Sequence, residues 1–232
     1  MHAAYVVVRW LLLGSLLLLI VAVGAALSVY PAVVTTAPSA ALVYLGLFAL
    51  ALLIYGWVVL VHIRAATDAE RIAMQHGIWW GLLCGGVWTI ELIVANLLGP
   101  QPGALQVLVY YGSTAVATLL PGPAALLAAQ RAARFGAGLQ AGLLCGMCGA
   151  IAIFLATIAL SPLLLPAGLH DPQTVREFQR SGLPDLTTFI VGDYLAGMIA
   201  HLWIGLITGL ILGMLGGAIG KALVTPHKAT LV

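Results

Sequence analysis

Charge is what this chain most conspicuously lacks. Only 7% of its 232 residues are Asp, Glu, Lys or Arg, while 62% are hydrophobic. A soluble domain carries roughly 25% charged residues. So few charges cannot cover a water-soluble fold of this length, and a bilayer must solvate most of the chain. The net charge of +2 is small and its basic residues are scattered, which excludes an electrostatic nucleic-acid surface. Cysteine is sparse as well. Cys84, Cys145 and Cys148 all lie in apolar segments and make no disulfide framework. Cys145 and Cys148 form a CxxC with no neighbouring His or acid, which reads as small buried residues rather than a redox or metal centre. Signature motifs are missing too: no P-loop, no GxGxxG after a strand, no HExxH. The chain is therefore read as no enzyme, with no cofactor and no metal.

What the sequence has is long apolar runs. A spanning helix needs roughly 20 apolar residues. Six stretches qualify, at about 11–30, 40–63, 74–98, 104–129, 138–160 and 190–217. The fold class expected is all-α, a single six-helix membrane bundle. Pro31 and Pro38 bracket the first turn, Arg64, Asp68, Glu70 and Arg71 mark the second connection, and Gly99 and Pro100 stop the third span. The first run exceeds the 7–15 residues usual in a signal-peptide core, so it is read as an uncleaved helix. The fifth span is expected to stop before Ser161 and Pro162, leaving an outer loop over 162–184. Within it, Asp171 and Pro172 read as an N-cap and first helical position. Gly182 and Pro184 read as a stop, so a short surface helix is expected over Gln173–Arg180. Asp185 is placed to cap the last helix.

Orientation follows from the loops. With the N-terminus inside, the inner segments carry Arg9, Arg64, Arg71, Arg131, Arg134, Lys221 and Lys228, and the outer ones only Arg176 and Arg180. Lys and Arg are retained on the cytoplasmic side during insertion. Both termini are thus expected in the cytoplasm, and short loops with a clean bias suggest a bacterial inner membrane. Trp10, Tyr30, Trp79, Trp80, Tyr110, Tyr111 and Tyr194 sit near span ends, where interfacial rings concentrate.

Glycine spacing is the strongest local signal. Gly205, Gly209, Gly213 and Gly217 recur at every fourth residue, as do Gly77, Gly81 and Gly85, and Gly138, Gly142 and Gly146. In lipid, helices associate through close approach at small residues. These ridges are expected to pack against helices of this chain, of a second copy, or of a membrane partner. GIWWGLLCG at 77–85 and GLQAGLLCG at 138–146 hint at a parallel duplication of helix pairs.

A few polar residues interrupt the apolar runs. Glu91 is the only acid well inside a span, and Asp193 and His201 lie two turns apart on one face of the last helix. Ionisable groups within a membrane are costly and face the bundle interior or water. A Glu91–His201 contact is expected, serving either as a polar pair that fixes helix register or as a proton relay or cation site. His62 and His76 flank the second connection and read as interface residues rather than haem or pigment ligands. Pro121, Gly122 and Pro123 break the fourth span. Broken helices mark packing kinks or binding sites, and Ser113, Thr114 and Thr118 lie on the preceding turns to supply hydroxyls.

Ala200–Gly209 reads AHLWIGLITG, which resembles the His helix of rhomboid intramembrane proteases over ten residues. That resemblance implies a serine partner in a GxSG motif. The nearest segment is Tyr111-Gly112-Ser113-Thr114, and the His-to-Gly spacing is one residue longer than the family pattern, so protease function is not carried over. Two function classes follow. Scarce intramembrane polar residues and short loops favour an accessory or structural subunit of a membrane complex. The alternative is a small transporter or channel with its polar site near Glu91 and His201.

Overall fold

The computed structural model describes residues 2–63, 67–97 and 104–224, with the side chains of 2–5, 62 and 104–107 set aside. Arg64, Lys228 and the expected stop at Gly99 and Pro100 lie outside the described residues, as does the side chain of His62. Among the described residues all regular structure is helical: α1 (His2–Val29), α2 (Ala32–Thr35), α3 (Pro38–His62), α4 (Asp68–Leu97), α5 (Ala104–Leu119), α6 (Pro121–Ala132), α7 (Phe135–His170), α8 (Pro172–Ser181) and α9 (Leu186–Val224). Six stretches are long and apolar enough to cross a membrane, with α5 and the collinear α6 supplying one between them. This is an all-α, multi-pass membrane protein.

Two breaks are handled by side chains. Pro121 has no N–H to offer the carbonyl of Ala117, four residues back. The Cys84 thiol on α4 donates to that carbonyl at 3.3 Å, and the Leu120 N–H approaches it at 3.3 Å. Ser113, Thr114 and Thr118 do not serve the break as expected. Thr118 bonds back to Thr114 O at 2.7 Å, and the other two hydroxyls face α4. Further on, α7 runs through Pro162 and Pro166 to His170 instead of stopping at 160. The carbonyl freed by Pro162 is that of Ile158, and the Ser161 hydroxyl donates to it at 2.8 Å. The expected 162–184 loop therefore shrinks to the α8 segment and its flanks.

The core is built on α7. Of its most apolar stretch 61% is buried, against 17–33% for the other spans, so α7 is the central helix. One face receives α4 in parallel. A methyl group placed on Gly77 would lie 2.5 Å from Leu144 Cβ, and one on Gly81 would lie 2.6 Å from Cys148 Cβ. Gly85 meets Ala152 one turn on. The other face receives α9 antiparallel: Gly138 opposes Gly217, Gly142 opposes Gly213, and Gly146 opposes Gly205 and Gly209. The break in the fourth span seats α6 on α9. A methyl on Gly216 would lie 2.5 Å from Gly122 O. All ten glycines of the three ridges are buried within the chain, so none offers a free ridge to a second copy or a partner. The two similar GLLCG segments thus lie side by side in parallel helices, but use their glycines on different neighbours.

α1 and α3 are more loosely attached, and large apolar side chains such as Leu17, Leu42, Leu53 and Trp57 face outward. Two long-range bonds pin α3 to α9. The fully buried Tyr55 hydroxyl donates to Leu202 O at 2.7 Å, and Trp203 Nε1 donates to Leu47 O at 3.2 Å.

Two aspartates set the ends of α8 and α9. Asp171 accepts from the Thr174 amide at 2.8 Å and its hydroxyl at 2.7 Å, and Asp185 accepts from the Thr188 amide and hydroxyl at the same distances. Gly182 ends α8 with φ +71°, a left-handed conformation that favours glycine. Burial raises the Asp171 carboxyl, but its bonds to Thr174 and Gln173 and the charge of Arg176 outweigh that and hold it below the ordinary value. The Thr188 hydroxyl and amide hold Asp185 low against a smaller desolvation. Because both folded values are depressed, the caps contribute fully above the unfolded carboxylate value of about 3.9. They are lost as pH falls below it through the folded values. Amide hydrogen exchange at Thr174 and Thr188, corrected for intrinsic rates, should show protection at pH 6 that collapses on acidification. Loss of that protection already above pH 5, where both carboxylates are still ionised, would contradict the capping account.

Candidate functional site

A cavity of about 430 Å³ opens between α4, α5, α7 and α9, in the half of the bundle nearer α8. Helical spacing explains its walls. On α4, Trp88, Glu91, Leu92 and Ala95 repeat at three or four residues. On α9, Asp193, Gly197, His201 and Ile204 do the same. Tyr110 and Thr114 close it from α5, and Ile153 and Thr157 from α7. Asp193 and His201 are eight residues apart, about 12 Å along the helix axis at ~1.5 Å per residue. The structure thus gathers Glu91, Asp193 and His201 onto one cavity.

Glu91 is the anchor of the site. It is 8% exposed. The Thr114 hydroxyl reaches its two carboxyl oxygens at 2.9 and 3.0 Å, and the Ser113 hydroxyl reaches Oε2 at 3.0 Å. Ser113 Oγ also touches the carbonyl of Val109. A serine hydroxyl has one proton. That proton goes either to the carboxylate or back to Val109. These contacts form the polar link between α4 and α5.

The expected Glu91–His201 contact is not made: no hydrogen bond or ion pair joins the two among the described residues. The His201 ring takes other partners. Nδ1 donates to Gly197 O at 2.7 Å, one turn back, which fixes the tautomer and leaves Nε2 without a protein partner among the described residues. Trp88 stands edge-on against the ring with centroids 5.1 Å apart. The two residues face a common space rather than each other. Asp193 lines the same cavity with much of its surface uncovered.

Other expectations fall away from the site. Pro121, Gly122 and Pro123 do not line the cavity; they serve the α6–α9 contact described above. His76 lies at the opposite end, where Arg131 Nη1 donates to its Nε2 at 2.8 Å and so ties α4 to α6. Sequence reading did not assign Tyr194, Asn96 or Thr157 to the site. Tyr194 places its hydroxyl 3.4 Å from Asn96 Oδ1 and 3.3 Å from Leu164 O, and Asn96 donates to Leu92 O at 2.8 Å. Thr157 turns its hydroxyl back to Ile153 O at 2.9 Å. Tyr194 and Asn96 had a signal in the sequence, since each lies one residue or five from an ionisable group already singled out.

The lining has a clear chemical bias. Two carboxyl groups and three aromatic rings, Trp88, Tyr110 and Tyr194, surround it, and among the described residues no Lys or Arg lines it and His201 is the only basic side chain. Carboxylates beside aromatic faces suit a cation, which gains from the charge and from the ring quadrupole together. Compared with known protein families, curated proteins and solved structures, the chain matches none.

Proposed function

We propose that this multi-pass membrane protein binds a small organic cation in the cavity between α4, α5, α7 and α9 and acts as a small transporter. The observation that carries this reading is the convergence of Glu91, Asp193 and His201, from two helices, on one aromatic-walled space. Polar residues that merely fixed helix register would pair with each other in tight packing. Here Glu91 is held by α5 hydroxyls and His201 by its own helix, and each keeps a face toward the cavity. A volume of about 430 Å³ falls in the range of roughly 300–1,000 Å³ usual for small-molecule sites. The accessory-subunit reading rests on scarce intramembrane polar residues and short loops, with attachment through the glycine faces; those faces are filled from within the chain.

The test uses the purified protein in nanodiscs and in proteoliposomes, with ethylammonium as the probe and acetate as a control of similar size and opposite charge. Saturable calorimetric binding of ethylammonium but not acetate, with counterflow of labelled ethylammonium in proteoliposomes, is the expected result. Binding without counterflow would return the protein to the subunit class, as a solute-binding partner of another chain. No saturable binding of ethylammonium would sink the cation reading.

A further inference from the structure

A second cavity, of about 400 Å³, lies on the other side of the same wall. It opens between α1, α7 and α9 and is lined by apolar groups that include Ala26, Phe154, Ile158 and Leu165. Thr157, Tyr194 and Met198 line both spaces. The two cavities therefore sit at the same level of α9, back to back, one polar and one apolar. In a bilayer the apolar one is bordered by α1, the least buried of the spans, and so lies next to acyl chains.

The dividing wall is weakly fastened. The Tyr194 hydroxyl has a single proton for Asn96 Oδ1 and Leu164 O, and both distances, 3.4 and 3.3 Å, lie beyond the usual O–H···O range of 2.5–3.0 Å. Thr157 spends its hydroxyl on its own helix, and Met is a flexible side chain that repacks readily. Those three side chains are the groups shared by the two spaces and the ones that would turn for them to join.

From this arrangement, and resting on the cation site proposed above, we infer that the substrate class is an amphiphilic amine. Its ammonium head sits with Glu91 and Asp193. Its hydrocarbon tail passes the Thr157–Tyr194–Met198 wall into the apolar cavity between α1, α7 and α9. Charge complementarity selects the head, and the apolar lining next to the lipid selects the tail. Tyr194 is the side chain that must turn, and its ring would flank the junction between head and tail.

The experiment is photo-crosslinking in nanodiscs with an octylammonium probe that carries a diazirine at the chain end, followed by peptide mapping. The expected result is labelling within residues 22–30, at and just past the end of α1, and within 158–165 of α7, reduced at least fivefold by excess ethylammonium and by Glu91→Gln. Ala26→Phe, which fills the apolar cavity, should remove the labelling and leave ethylammonium binding unchanged. Labelling of those segments that ethylammonium does not reduce would overturn the inference, because the tail would then occupy the apolar cavity independently of the head. Labelling elsewhere, with ethylammonium still bound, would overturn it too and leave the cation site standing. Loss of ethylammonium binding by the unmodified protein would instead remove the site on which the inference rests.

Discussion

Glu91→Gln should weaken ethylammonium binding by roughly 10- to 100-fold, the range expected when a charged hydrogen-bond partner worth about 1.5–3 kcal/mol becomes neutral. The substitution is close to isosteric. A glutamine carbonyl still accepts from Ser113 and Thr114, so the α4–α5 link survives. Thermal unfolding in detergent should therefore move little while binding is lost. Glu91→Asp keeps the charge one methylene further from α5 and should retain part of the affinity. Glu91→Leu removes both the charge and the acceptor. Even there Ser113 can fall back on the Val109 carbonyl it already touches, so folding should persist. Wild-type affinity in the glutamine variant would show that the carboxylate is a register device and that the cavity recognises something other than charge.

Gly138→Ala should be among the most damaging single-methyl additions in the chain. Its Cβ would lie 2.5 Å from Gly217 Cα, 2.8 Å from Ala125 O and 2.9 Å from Ala129 Cβ. Those atoms belong to α9 and α6, two of them are main chain, and none can swing aside. Overpacking typically costs ~1–3 kcal/mol and sometimes more, and here one methyl wedges α7 from two neighbours at once. Gly86→Ala is the matched control, since nothing lies within 4 Å of its added methyl. That change should be neutral or stabilising, by up to ~1 kcal/mol from helix propensity. Unfolding in mixed micelles measures both. Equal stability of the two variants would refute the close α7–α9 and α7–α6 approach.

Much of this fold was legible because lipid imposes simple demands. Every spanning backbone must satisfy its own polar groups, so long apolar runs had to be helices. Gly205, Gly209, Gly213 and Gly217 showed which face of the last helix could approach another closely, though not which helix it would meet. What stayed hidden depends on partners distant in sequence. Cys84 looked like a small buried residue, and its role at the Ala117 carbonyl exists only because α4 lies beside the α5–α6 break. Ser113 and Thr114 stand near that break along the chain, so they were paired with it, whereas the fold turns them to Glu91, 22 and 23 residues away. Glu91 and His201 do line one cavity, but the rotation that sets His201 against Trp88 had no mark in either segment. The extension of α7 past 160 was different, since Ser161 directly precedes Pro162 and a local hydroxyl can stand in for the missing N–H.

The position of α7 also decides which parts of the molecule can be machinery. Its backbone is interlocked with α4 along one side and with α9 and α6 along the other, at separations that leave no room for sliding or rolling. Those four helices form a stator. On the transporter reading proposed above, a cycle that exposes the cavity first to one side and then to the other would have to be driven by pieces outside that block. The candidates are α5, latched to α4 by the Glu91 hydroxyl contacts and separated from α6 at Pro121, and the pair α1 and α3, of which α3 is held to α9 by Tyr55 and Trp203. On that reading, a cation at Glu91 would compete with the latch, so loading the site and releasing the moving arm would be the same event.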